Sequence, residues 1–256
     1  MRRSLRVAAG LVLVTALANV VVAYVATPVD ALRGTYVYTP AAATAPRQAG
    51  LAVTTNVGLD QVPESLLVAL LFAEDKTFFS HHGFDFTEIG TSIRLWLVGE
   101  RPLRGASTLT QQLARTLFLT TDRTLTRKLR EAIGTVKLER RLAKDEILTL
   151  YLNNVEWAPD VYGIAAAAAH YFRKQPTDLD DRQCAFLVAI LPSPPRLAAR
   201  FKRHHGTPLR MQRVLTAIAR AGEADATSET DPDDPVLHFL PAVREARRHA
   251  ADRPAT

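Results

Sequence analysis

The chain is poor in several things, and each shortage excludes something. It has one cysteine, Cys184, so no intrachain disulfide can form. Ser-x-x-Lys and Lys-Thr-Gly do not occur anywhere, which excludes the usual serine acyl-transfer signature of β-lactam targets. The neighbouring histidines His81 and His82 lack the spacing of a metal pair, so at least one of them reads as structural. Few segments alternate with period two and no internal repeat is visible. The fold class is therefore expected to be mainly α. Between Gly222 and Pro235 there are six acids and no Lys or Arg. The rest of the chain is correspondingly basic, within a total of 32 basic and 26 acidic residues. Such a body suits an anionic partner: nucleic acid, a membrane face or a pyrophosphate.

What is present starts with a hydrophobic content of 47%, enough for a sizeable core. Arg2, Arg3 and Arg6 precede an apolar run over residues 7–27. At roughly 1.5 Å per residue this run covers roughly 30 Å of hydrocarbon. It reads as a transmembrane signal-anchor with residues 1–6 in the cytoplasm and the body exported. A cleaved signal peptide is the alternative, since Ala23-Tyr24-Val25-Ala26 offers small residues for cleavage. Export takes the basic surface away from nucleic acid, so no nucleic-acid partner is expected. Residues 28–60 read as a linker and lead-in, with Pro28, Pro40 and Pro46 and no sustained period.

Helical patterns follow. Residues 66–73 are apolar nearly all round, the mark of a buried helix. Further helices are predicted over residues 107–117, from an N-cap at Thr124 through Leu138, and over 144–152, 164–172 and 182–191, the last ended by Pro192 and Pro194-Pro195. Residues 210–220 are amphipathic, and one short helix is expected in the last twenty residues. The main domain is placed at 61–220, with an acidic linker and tail over 221–256.

Three clusters carry chemistry. Glu74 and Asp75 end the buried helix, before Phe78, Phe79 and His81. The negative end of the helix dipole and nearby aromatics both disfavour an ionised carboxylate, which would make Glu74 a general base; an exposed acidic pair is the bland alternative. From Gly105 a glycine turn leads into Ser107 and Thr108, and Thr108, Gln112 and Arg115 then share a helix face suited to phosphate or sugar hydroxyls. Ordinary capping would look the same. Arg127, Lys128 and Glu131 fall within little more than one turn. They could hold a pyrophosphate, directly or through a divalent cation, or form a surface salt bridge.

In order, these pieces resemble peptidoglycan glycosyltransferase family 51. The blocks are Glu74-Asp75-Lys76-Thr77-Phe78-Phe79-Ser80-His81-His82-Gly83, residues 105–119, Arg127-Lys128-Leu129-Arg130-Glu131, Ile147-Leu148-Thr149-Leu150-Tyr151-Leu152-Asn153, and Tyr162-Gly163-Ile164 to Tyr171-Phe172. Glu156-Trp157 and the length look most like the monofunctional transglycosylases of Gram-negative bacteria. The resemblance implies a lysozyme-like domain with a small membrane-facing subdomain. Ile93, Leu95, Trp96, Leu97 and Val98, beside Arg94, Arg101 and Arg104, read as that interfacial element, with core packing as the alternative.

It further implies polymerisation of lipid II into β-1,4 glycan at the periplasmic face of the inner membrane. Glu74 would be the base, and Glu131 a second essential acid organising cations or a Mg²⁺. Lys128, Arg127 and Arg115 would face the leaving undecaprenyl pyrophosphate. Asp75, Phe78 and His81 would shape the first site, and Thr108 and Gln112 would contact the donor. Ser107 joins this substrate-binding set. Lipid II, the growing glycan and membrane lipid are the implied partners, with penicillin-binding or divisome proteins beside them. No organic cofactor is implied. Departures are Arg115-Thr116 where Lys-Asn is expected, and Ala158 and Asp160 in a turn where the family usually has glycines. Positive φ there would strain Ala158. After residue 200 too little chain is expected to remain for a transpeptidase domain. The rival readings are a lytic muramidase and a catalytically idle membrane scaffold.

Overall fold

The fold is seen in a computed structural model. It describes residues 57–100, 107–118, 125–203, 207–227 and 234–252, with residues 15, 18 and 21. The expected anchor over 7–27, the N-cap Thr124, and Arg101, Arg104 and Gly105 lie outside this described set or almost wholly so. Among the described residues, no helix is long and apolar enough to cross a membrane.

The described chain is mainly α, as expected. Ten helices carry it: α1 (Glu64–Glu74), α2 (Phe86–Leu97), α3 (Leu109–Phe118), α4 (Leu125–Arg141), α5 (Lys144–Asn154), α6 (Ile164–Phe172), α7 (Asp181–Ile190), α8 (Pro194–Arg203), α9 (Leu209–Thr227) and α10 (Leu240–Ala251). A two-stranded antiparallel hairpin, β1 (Glu156–Ala158) and β2 (Val161–Tyr162), lies between α5 and α6.

α1 is the hub. Leu66, Leu67, Val68, Ala69, Leu70 and Leu71 are all fully buried, because α7, α9 and α10 pack around it. A helix apolar on every side is stable only when surrounded in this way. α3 forms a second layer with α4 and α5. Gly134 of α4 permits the close approach: a Cβ there would lie 3.2 Å from both Ala114 and Phe118 of α3. α10 straps the start of α1. Arg244 pairs with Glu64 at 3.1 Å, and Arg247 donates to the carbonyls of Leu59 and Val62. Asn153 of α5 ties down the same lead-in through both the N–H and the carbonyl of Val57. α1 is thereby fixed at its beginning, and its last residue, Glu74, emerges from a rigid core.

Three expectations are corrected in detail. α9 does not stop at 220 but continues to Thr227, with Ala224 buried, so the first acids of the acidic segment are helical. Pro194-Pro195 does not merely end α7; it starts α8, because proline lacks only an N–H that the first turn leaves unbonded anyway. In the hairpin turn the residue with positive φ is Asp160, at 61°, not Ala158. Aspartate tolerates that region better than alanine, so the feared strain at Ala158 does not arise. α2 settles a choice the sequence left open. None of its residues is buried, and Phe86, Ile93, Trp96 and Leu97, with Val98 just beyond it, are exposed. Core packing is not its role.

Candidate active site

Three helix termini meet where α1 ends. Asp75 caps α1 by donating its N–H to the Leu71 carbonyl. Its buried carboxylate accepts from the Leu109 N–H at 2.8 Å, at the first turn of α3. It also accepts from His81 Nε2 at 3.0 Å. His81 Nδ1 accepts from the Gly83 N–H at 3.0 Å, which places the imidazole proton on Nε2. An anion at a helix N-terminus is favoured by the dipole and the unbonded N–H groups. Asp75 and His81 therefore lock the start of α3 to the end of α1.

Thr108 closes the lock. Its Oγ1 accepts from the Gln111 N–H and donates to the Gly83 carbonyl at 2.7 Å, while Gln111 Oε1 accepts from the Thr108 N–H. This is a capping arrangement in the usual sense, and Thr108 is 3% exposed. Gly83 has φ +90°, and a Cβ there would sit 2.7 Å from Thr135 Cγ2. Gly83→Ala is expected to cost about 2 kcal/mol, through forbidden φ and the clash together. A thermal unfolding curve unchanged by the substitution would contradict this.

Beside the lock lies a second, part-buried ionic group. Glu139 accepts from Thr110 Oγ1 at 2.5 Å and from Lys144 Nζ at 2.8 Å. Lys144 Nζ also sits 4.5 Å from the Phe78 ring centre. Burial pushes the Lys144 ammonium below its ordinary range, against the pull of Glu139 and Asp75. Phe78 itself is fully buried, edge-on to Phe79 and His81, so it shapes the site from the core.

Glu74 is the group this framework presents. Its Oε2 accepts from Gln112 Nε2 at 3.1 Å, and its Oε1 is ion-paired with Arg210 of α9. Gln112 Oε1 in turn accepts from the Tyr151 hydroxyl at 3.0 Å. Glu74 opens on a cavity of about 280 Å³, lined also by Asp75, Lys76, Ser107 and Thr108. Asp85 stands on its rim as the N-cap of α2. Burial would raise its carboxyl, but hydrogen bonds from the Thr77 hydroxyl and the Glu88 and Thr87 N–H groups hold it below the usual range. Arg115 is exposed on the Gln112 side of α3.

The second cluster is on α4. Glu131 has a side chain 1% exposed, with Arg127 Nη1 at 3.3 Å on one oxygen and Lys128 Nζ on the other. Both oxygens are thus taken by cations. Among the described residues, Glu131 contributes one carboxylate already engaged by two cations, a donor set that does not fit a divalent ion coordinated there. Among the described residues no group of three or more His, Cys, Asp or Glu could hold a metal.

The structure therefore joins Glu74 to Gln112, Asp75 to His81, and Glu131 to both Arg127 and Lys128. Thr108 serves the framework. Sequence reasoning missed Arg210 and the role of Tyr151. The helix carrying Arg210 was legible, but a contact to a residue 136 positions away leaves no local signal.

Comparison with known proteins identifies the family. The family model described as transglycosylase matches residues 47–219. The chain is 43% identical over 135 residues to the biosynthetic peptidoglycan transglycosylase of Alcanivorax borkumensis, covering 53% of this chain and 55% of that one. It is 41% identical over 158 residues to the protein of the same name from Shewanella denitrificans, covering 62% and 67%. It is 39% identical over 138 residues to penicillin-binding protein 1F of Bacillus subtilis, covering 54% of this chain but 19% of that one. The match spans between 54% and 67% of the length of the biosynthetic transglycosylases compared.

Proposed function

Since this chain belongs to the transglycosylase family, we propose that it carries a peptidoglycan glycosyltransferase activity that polymerises lipid II into β-1,4-linked glycan and releases undecaprenyl pyrophosphate. One observation carries the reading. Glu74 is held by Gln112 and Arg210 at the mouth of a cavity, on a helix end fixed by Asp75. A carboxylate so held has one job that suits it: taking a proton from a hydroxyl that enters the cavity.

The chemistry follows from the donor and the product. Glu74 removes the proton of the 4-hydroxyl on the acceptor N-acetylglucosamine. That oxygen attacks the anomeric carbon of the lipid-linked chain, and the bond to the diphosphate oxygen breaks. An α-linked donor giving a β bond requires a single inverting displacement. The leaving diphosphate gains negative charge, which Lys128, Arg127 and exposed Arg115 offset. Glu131 acts by holding two of these cations in place.

The same reading supplies a location. The apolar run over 7–27 serves as a single membrane anchor with the catalytic domain in the periplasm, and α2 lays Phe86, Trp96 and Leu97 against the lipid that carries the substrate. Penicillin-binding or divisome proteins are the partners such an enzyme would work beside. The test is direct. Full-length protein with labelled lipid II and Mg²⁺ should yield glycan polymer, insensitive to β-lactams and digestible by lysozyme. Cleaved saccharides from sacculi without polymer would instead indicate a lytic muramidase. No product from either substrate would leave the idle scaffold.

A further inference from the structure

Gln112 is the hinge of the candidate site, and its side chain has two ends of nearly equal shape and opposite hydrogen-bonding sense. Only the NH₂ end can face a carboxylate. That leaves Oε1 turned into the protein, where it requires a donor or else stays unsatisfied. Tyr151 of α5 supplies it: its hydroxyl lies 3.0 Å from Gln112 Oε1, and the residue is 1% exposed. The phenol has no competing ionised form. Burial first, then the charge of Glu74, push it well above the ordinary tyrosine range, against the opposing fields of Arg115 and Arg210. It is a permanent donor. The chain of contacts Tyr151, Gln112, Glu74, Arg210 takes one residue from each of α5, α3, α1 and α9.

We infer that Tyr151 is a positioning residue: by donating to Gln112 Oε1 it fixes the amide so that Nε2 grips Glu74 and aims the carboxylate at the acceptor hydroxyl. The inference rests on the reading of Glu74 as general base. Without the hydroxyl, Oε1 is stranded. The amide then rotates toward solvent and takes Nε2 with it. Arg210, whose side chain is 37% exposed, becomes the sole holder of Glu74 and draws it off line. A carboxylate displaced by a fraction of an ångström is still charged and still in the cavity. Substrate binding should survive while proton transfer suffers.

The experiment is a double-mutant cycle on the full-length protein with lipid II. Tyr151→Phe should lower kcat about 10-fold with KM changed less than about 2-fold. Gln112→Met should lower kcat similarly, and Tyr151→Phe added to it should change kcat less than about 2-fold. Independent, multiplying effects, or an unchanged kcat in Tyr151→Phe, would overturn the inference. A second readout does not depend on turnover. In ¹⁵N-glutamine-labelled protein, Glu74→Gln and Tyr151→Phe should each move the same Gln112 side-chain amide resonances. If Tyr151→Phe leaves them in place, the positioning role is lost whatever the activity. If they move while wild type makes no polymer, the relay stands and the enzymatic reading fails.

Discussion

Glu74→Gln is expected to reduce glycan polymerisation from lipid II by about 10³-fold, the middle of the range for loss of a general base. The substitution keeps the shape and removes only the charge and the basicity. The amide that replaces the carboxylate can still accept from Gln112 through its carbonyl, so the cavity wall should hold. Arg210 loses its anion, but it is more than a third exposed and can turn to water, so the stability change should stay within about 1 kcal/mol. The informative comparison is with Asp75→Asn. Asp75 accepts from both His81 and the Leu109 N–H while buried, so its loss should lower the unfolding temperature clearly as well as the rate. Glu74→Gln should lower the rate alone. Measuring product by gel beside thermal unfolding separates the two. Polymer made by Glu74→Gln at the wild-type rate would remove this residue from the chemistry.

That contrast marks what could be read from the residues in order. The buried run at 66–73 announced α1, because only a surrounded helix can be apolar on all sides, and α1 ends on Glu74 as expected. The Thr108–Gln112 spacing pointed to α3, and the Arg127–Glu131 spacing to the ion pair within α4, since both are local to one helix. Illegible were the pairings made by tertiary packing. Arg210 comes from α9 and Tyr151 from α5, and both reach Glu74 or its partner only because α1 is enclosed by α9 and α3 lies on α5. Thr108 has a less direct role than its residue type suggests. Its hydroxyl suited a phosphate or a sugar, yet a hydroxyl at an N-cap is first a partner for its own helix, and here it is spent on Gln111 and Gly83. The same holds for Phe78, whose block position suggested a site wall and whose ring is core. Family resemblance singles out these residues; burial and hydrogen bonds separate the exposed groups among them from those spent on the framework.

Glu131→Gln should produce the second large effect, and of mixed kind. Its carboxylate is 1% exposed and holds Arg127, 20% exposed, and Lys128, 52% exposed. Lys128 can recover hydration when the charge is removed, so its bond adds little to the loss. Arg127 cannot do so fully, and a charged hydrogen bond lost at a mostly buried site costs about 2 kcal/mol. For a domain of this size that corresponds to a fall of about 4–8 °C in Tm. Activity should fall further than stability accounts for. With Glu131 neutral, the two cations repel one another and no longer converge where the diphosphate departs, so kcat/KM should drop about 10²-fold even well below the unfolding transition. Lys128→Ala separates the two consequences. It removes a half-exposed cation, so Tm should stay within about 2 °C of wild type, while polymerisation falls about 10-fold. If Glu131→Gln regains wild-type activity wherever it is fully folded, and Lys128→Ala is fully active, the trio on α4 is a structural ion pair and the leaving group must be met by Arg115 and its neighbours instead.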